Sequence, residues 1–296
     1  MKRSGYKALL WGGRGGLLLA TLSCGGETAP GAPDAPPGRI VSLIPSATET
    51  IIALGAGDRL VARTEYDIDP ALSDLPQVRG GLTPSLEQLT MLNPDLVVAW
   101  PDNMTRSVSS RLTDLGIEFY APQAQSLDDI YRTTRELGQI LGLEEQADSL
   151  NDAITAELES LRGAVAGRER PAVFYVVWHD PPTTAGPGTY IHELIEIVGG
   201  RNVFADAPAL WPQVSMEEIV RRQPDLLILP VGEGPPLELE RLRAMVGWRE
   251  LQAVRDGNVV HIDASLFNRP GPNVTEAARR LARILHPEAF STTALP

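Results

Sequence analysis

Seven short apolar runs, separated by stretches with helical spacing, constrain this chain more than any other feature. They are Arg39–Ile44, Leu60–Arg63, Asp95–Trp100, Ile117–Ala121, Ala172–Trp178, Asp225–Pro230 and Val259–Asp263. Their alternation with helical periodicity predicts an α/β fold with largely parallel strands. Between Ser126 and about Gly167 the strand signal disappears. There Leu127, Ile130, Leu137, Leu141, Leu150, Ile154, Leu158 and Leu161 recur at three-, four- and seven-residue steps, with Gly142 as a possible break. This segment reads as helical, and the part from Glu144 to Ala166 alone would reach about 35 Å, enough to run along one side of two halves.

The halves on either side resemble each other at fixed spacings. Ser85-Leu86-Glu87-Gln88-Leu89 precedes Pro94-Asp95-Leu96-Val97, and Ser215-Met216-Glu217-Glu218-Ile219 precedes Pro224-Asp225-Leu226-Leu227, with ten residues from serine to aspartate in both. Glu49 leads to Gly55 and Glu193 to Gly199, six residues in each case. A repeated supersecondary unit explains both coincidences. The expected organisation is two similar α/β lobes with central sheets, 39–124 and 171–290, bridged by a single long helix within 125–170, and a tail at 291–296.

Of 296 residues, 26 are basic and 38 acidic, a net charge of −12, and no basic patch interrupts the acidic chain, which argues against nucleic-acid binding. A single cysteine excludes an internal disulfide and a thiolate zinc cluster. The first 23 residues carry Lys2, Arg3, Lys7 and Arg14, then the apolar run Leu17–Leu22, then Ser23 before the lone Cys24. This reads as an export signal whose apolar stretch is too short to cross a bilayer. Cys24 is a candidate for lipidation after processing; a secreted protein with a free thiol is the other reading. Residues 24–38, rich in Gly, Pro and Ala, then form a flexible tether. Cleavage before Cys24 removes four positive charges and deepens the net charge to −16, so lipid and not charge would hold the protein at a membrane, in the periplasm or on the cell surface.

Ser85 with Gln88, Ser215 with Glu218 and Ser46 with Glu49 each fit the capping box, in which a hydroxyl and the side chain three residues on satisfy the free amides of a helix start. Glu87 and Glu217 then fall at the second helical position. There a carboxylate gains from the positive helix end and can still point outward.

Aromatic residues make up only 5% of the chain, yet Trp100 and Trp178 close apolar runs, Tyr66 follows one, and Trp211 lies in a loop entering the Ser215 helix. In open α/β sheets the carboxyl ends of the strands border the ligand crevice. Four flat side chains at such ends, two from each half, predict a cleft for a large, partly apolar ligand; ordinary core packing is the alternative for any one of them.

The segments Arg39–Glu49 and Pro94–Trp100, and above all Trp211-Pro212-Gln213-Val214-Ser215, resemble the periplasmic cobalamin-binding proteins of ABC importers, within the group that captures cobalamin, haem and iron-siderophores. The resemblance spans about residues 39–286. It implies two α/β lobes joined by one rigid helix and no catalytic cofactor, the ligand being cobalamin or a related corrinoid; because the connector reads as helical and not as a pair of flexible strands, small lobe motions are expected on binding. It also implies that Tyr66, Trp100, Trp178 and Trp211 contact the corrin ring and that Arg269 contacts the ligand. Ser265 stands where a cobalamin binder carries an aspartate, and is taken as part of the polar side of the site. Glu87 and Glu217 match the two carboxylates, one per lobe, that meet arginines on the permease dimer; the protein itself is expected to be a monomer.

A haem or iron-siderophore binder on the same scaffold is the nearest rival, with Tyr66 as a candidate iron ligand. An enzyme is the rival of another class. His261-x-Asp263 and His192-Glu193 could ligate a metal and His179-Asp180 could form an acid/base pair. Against catalysis, no Gly-x-Ser-x-Gly elbow and no Gly-x-x-x-x-Gly-Lys phosphate loop occurs, so each histidine reads as a strand-end or surface residue and no metal is expected.

Overall fold

The computed structural model describes residues 35–79, 85–101, 106–232 and 236–290. The signal segment, Cys24, most of the tether and the 291–296 tail lie outside the described residues. The end of the tether already belongs to the fold: the amides of Gly38 and Arg39 both donate to the Asp95 carboxylate at 2.9 Å.

Two parallel sheets organise the chain from Pro36 onward. The first contains β1 (Ile40–Ser42), β2 (Leu60–Ala62), β3 (Leu96–Val98) and β4 (Glu118–Tyr120) in the order β2-β1-β3-β4. The second contains β5 (Ala172–Tyr175), β8 (Arg201–Asn202), β9 (Leu226–Val231) and β10 (Val259–Asp263) in the order β8-β5-β9-β10. Read from the same edge, the two orders correspond strand for strand. The repeat seen in the sequence is therefore a repeat of topology.

Strand pleating divides each lobe into two cores. Ile40, Leu96 and Val98 face one cluster while Val41 and Val97 face the other. In the second lobe Val173, Tyr175 and Ile228 separate in the same way from Ala172, Phe174, Leu227 and Leu229. Both faces are covered, which is why the strands read as continuous apolar runs.

The helices of the first lobe are α1 (Pro45–Ala53), α2 (Leu86–Met91) and α3 (Arg106–Asp114). The bridge consists of α4 (Leu127–Leu141) and α5 (Glu144–Ala164), separated at Gly142 with φ +67°. The long bridging helix expected from the sequence is α5, whose 21 residues span about 31 Å. Its Ala147 lies in the first-lobe core, and Ile154, Leu158 and Leu161 in the second. α4 accompanies it, with Leu137 and Leu141 in the first-lobe core and Leu127 and Ile130 in the second. Gly138 permits the contact between the two helices, since a Cβ there would stand 2.5 Å from that of Ala147.

The second lobe adds a ribbon of β6 (Trp178–His179) and β7 (Pro182–Thr183), then α6 (Tyr190–Ile197), α7 (Met216–Arg222), α8 (Leu239–Ala244), α9 (Gln252–Asp256), α10 (Ala264–Phe267), α11 (Val274–Leu285) and α12 (Pro287–Phe290). Ser85 and Ser215 cap α2 and α7, accepting from the amides of Gln88 at 3.4 Å and Glu218 at 3.1 Å. Neither completes the expected box, the Glu218 carboxylate pairing with Arg221 and Arg222 instead, and the third cap is not formed at all. Pro45 opens α1 one residue too early for a Ser46 cap, Ser46 is buried inside the first turn, and Glu49 is engaged elsewhere. The complete box belongs to α4, where Ser126 and Asp129 cap each other.

Candidate functional site at the carboxyl ends of the two sheets

Trp178 does not close β5. The Val176 amide still bonds Ile228 at 2.8 Å, but the next amide, Val177, turns to Thr183 at 2.9 Å, and the chain leaves the sheet as a ribbon. Trp178 pairs with Thr183 there, and its indole N–H donates to the Asp180 carbonyl at 2.6 Å. That fixes the ring while leaving it 58% exposed.

The loop carrying Trp211 lies along the other edge of this ribbon. Thr183 bridges to Gln213, Thr184 N–H donates to Pro212 O at 3.1 Å, and Val214 N–H donates to Pro182 O at 2.9 Å. Gly186 donates to Leu210 O at 2.7 Å, and the approach is so close that a Cβ on Gly186 would stand 2.1 Å from Ala209 O. Trp211 is 37% exposed and its indole N–H donates to Gln125 Oε1 at 2.8 Å. Gln125 is itself fixed at the start of the bridge: its amide donates to Asp129, and its carbonyl accepts from Tyr190 N–H at 2.7 Å. Burial opposes the Asp129 charge, yet the amides of Gln125 and Ser126 and the Arg132 guanidinium hold that carboxyl below its usual range. Two tryptophans far apart in sequence thus share one ribbon.

A cavity of about 270 Å³ opens beside Trp178 at the ends of β5 and β9, lined by Val177, Trp178, His179, Pro230, Leu237 and His261; Trp211 is not part of its wall. A neighbouring hollow is lined by Val231, His261 and Asp263. The histidines weighed as ligands have other engagements. His261 Nε2 lies 3.1 Å from Leu237 O, His192 Nδ1 lies 3.2 Å from Asn202 Nδ2, and Glu193 accepts from the Leu127 amide at 2.7 Å. Among the described residues no group of three or more His, Cys, Asp or Glu side chains is placed to hold a metal ion.

On the first lobe, Tyr66 follows β2 in a turn built by Thr64, whose amide and hydroxyl donate to Asp67 at 2.6 and 2.9 Å. The Tyr66 side chain is 46% exposed. Trp100, two residues beyond β3, is half-buried against the same core as Tyr120. Burial, reinforced by its 2.6 Å bond to Glu136, pushes the Tyr120 hydroxyl far above its usual pKa.

Arg269 stands between the lobes. Its Nη1 donates to Glu49 Oε1 at 3.0 Å, its Nη2 donates to the Tyr66 carbonyl at 2.7 Å, and Asn273 Nδ2 donates to Glu49 Oε2 at 2.9 Å. Ser265 donates its hydroxyl to Asp263 at 2.6 Å and its amide at 2.8 Å. The Ser265 hydroxyl bond holds the Asp263 carboxyl below its usual range. A carboxylate is therefore present in this turn two residues before the position the sequence comparison pointed to. Glu87 and Glu217 are exposed in the first turns of α2 and α7.

Glu49 and Gln125 escaped sequence reasoning as site residues, and Asp263 entered it only as a candidate metal ligand beside His261. Asp263 had a signal, its place at the end of the last apolar run; Glu49 and Gln125 had none, because their partners lie 220 and 86 residues away.

A model of the family described as periplasmic binding protein matches residues 40–266. The chain belongs to that family. It is a substrate-binding protein of the ABC transporter class. An uncharacterized ABC transporter substrate-binding lipoprotein of Bacillus subtilis is 31% identical over 261 residues, covering 86% of this chain and 82% of the relative. The crystal structure of a periplasmic vitamin B12-binding protein of Vibrio cholerae superposes with a TM-score of 0.67 at 30% identity, covering 87% of this chain and 99% of that one. A periplasmic haem-binding protein from Roseiflexus sp. RS-1 superposes with a TM-score of 0.73 at 25% identity, covering 85% and 98%. The two-lobe α/β architecture of this family is the one observed. No helix among the described residues is long and apolar enough to cross a membrane.

Proposed function

We propose that this binding protein captures cobalamin or a related corrinoid between its lobes and delivers it to the permease dimer of an ABC importer. The observation that carries the reading is the ribbon that holds Trp178 and Trp211 at the carboxyl end of the second sheet with 58% and 37% of their surfaces exposed. Solvated indoles held by hydrogen bonds from both indole N–H groups are surfaces prepared for a flat apolar partner. Tyr66 and Trp100 supply the facing surface from the first lobe, and Asp263, with Ser265 bonded to it, supplies polar contacts for peripheral amides. Similarity to a vitamin B12-binding protein supports the choice of ligand.

Cys24, acylated after removal of residues 1–23, anchors the protein through the 24–38 tether. Glu87 and Glu217 occupy equivalent places in the two lobes and dock on the two permease copies. Reversing both charges is expected to leave ligand affinity intact and abolish uptake in cells; undiminished uptake would remove the docking role.

Haem or a ferric siderophore is the second reading, favoured by the exposed Tyr66 side chain and by the similarity to a haem-binding protein. Desalting the protein after mixing with cyanocobalamin or with haemin, then recording the visible spectrum, separates the two. Retention of the corrinoid bands is expected. A retained tyrosinate-type haem band without corrinoid would establish the second reading instead.

A further inference from the structure

We infer that Glu49 is a positioning residue for the cleft: through Arg269 and Asn273 it fastens α1 of the first lobe to the 268–273 loop of the second, and so presets the separation of the lobes and the placement of Tyr66. The inference rests on the reading of the interlobe gap as the ligand site. Glu49 and Arg269 are 220 residues apart, yet their side chains are only 20% and 14% exposed, and both carboxylate oxygens are used by the other lobe. Arg269 in turn spends Nη1 on Glu49 and Nη2 on the Tyr66 carbonyl, so the backbone from which the tyrosine ring projects hangs from the opposite lobe.

The backbone fit agrees with the side chains. Gly271 is buried against the first turn of α1, where a Cβ would stand 3.1 Å from Ser46 O and 3.2 Å from Ser46 Cβ. Burial works to raise the Glu49 pKa, and the Arg269 hydrogen bond and charge oppose it. A partly buried carboxylate whose counterion comes from the other lobe resists separation, because opening strips it of that partner before water has fully replaced it. The topologically equivalent glutamate, Glu193, makes the corresponding fastening to the bridge through the Leu127 amide. Each lobe thus places the glutamate of its first sheet-covering helix on a neighbouring element, Glu49 on the 268–273 loop and Glu193 on the first amide of α4.

The test is a cycle of Glu49→Gln, Arg269→Met and the double variant in the full chain. It is read first by amide hydrogen exchange without ligand and then by the dissociation rate of cyanocobalamin. Glu49→Gln is expected to raise exchange about tenfold at the hydrogen-bonded amides of Tyr66 and Asp67 in one lobe and of Val274 in the other, while the amides of β1, β3, β5 and β9 keep wild-type rates. Release of cyanocobalamin is expected to quicken about fivefold with little change in association, and the double variant to resemble either single one. Exchange that is unchanged, or raised in one lobe only, or additive effects in the cycle, would overturn the inference. If cyanocobalamin fails to bind while exchange still rises in both lobes, the latch stands and the ligand reading falls. Gly271→Ala, which wedges the same joint without removing a charge, is expected to loosen the same two segments to a smaller degree; absence of that effect would count against the latch.

Discussion

The two lobes share a strand order but differ in how each passes from its first strand to its first covering helix. In the first lobe two residues join β1 to α1; in the second, fourteen separate β5 from α6 and contain the ribbon that carries Trp178. The short connection leaves α1 free to present Glu49 to the other lobe. The long one builds an aromatic platform at the sheet's edge. One topology has been used for fastening on one side and for ligand contact on the other, and the difference lies in loops while the strands remain equivalent.

That contrast can be broken most severely at Gly186. Gly186→Ala forces a Cβ toward the Ala209 carbonyl, so the Trp211 loop must move off the ribbon. A loss of about 2–3 kcal/mol in denaturant unfolding is expected, together with weakened ligand binding. An unchanged midpoint would show that the ribbon and loop are not packed as described.

Next in size are Trp178→Ala and Trp211→Ala. Each is expected to weaken cyanocobalamin binding by more than about 1.4 kcal/mol, a factor of ten, in calorimetry. Equal affinity in either variant would remove that ring from the site. Gln125→Leu sharpens the comparison by freeing the Trp211 indole from the bridge without deleting it, and is expected to cost about 1 kcal/mol in affinity. No change in affinity there would mean that the bridge does not help to orient the ring.

The smallest effect concerns Asp263. Its folded pKa lies below the ordinary value of 3.8, so its contribution to stability is present above that value and is lost as pH falls through the folded pKa. Ser265→Ala removes the largest cause, and the carboxyl titration followed by NMR is expected to move up toward the ordinary value. A titration that stays in place would assign the shift to the Ser265 amide and to the charges of Arg280 and Arg269 instead.

Much of the fold was legible because strands buried on both faces write themselves as short apolar runs. All seven predicted runs contain a strand, and the repeat survived as equal sheet orders. Gly142 marked the helix break because a left-handed residue there is cheapest as glycine. The ribbon was not legible: two-residue strands carry no periodicity, and the apolar residues Val176 and Val177 continue the pattern of β5 while the hydrogen bonds change partner between them. Glu49 was misread because Ser46-x-x-Glu49 satisfies a local pattern, whereas its actual partner comes from the far end of the chain. Local sequence reported the strands buried on both faces and the Ser85 and Ser215 caps, and missed the Ser126–Asp129 box. It is silent about side chains whose role is decided by tertiary contact.

Whether the corrinoid lies between the lobes is decided by a crystal structure of the protein with cyanocobalamin. The corrin ring is expected between Trp178 and Trp211 on one side and Tyr66 and Trp100 on the other, with the lobes in nearly the same relation as without ligand. Density for the ligand outside that gap, or the four rings left in solvent with the corrinoid bound elsewhere, would contradict it.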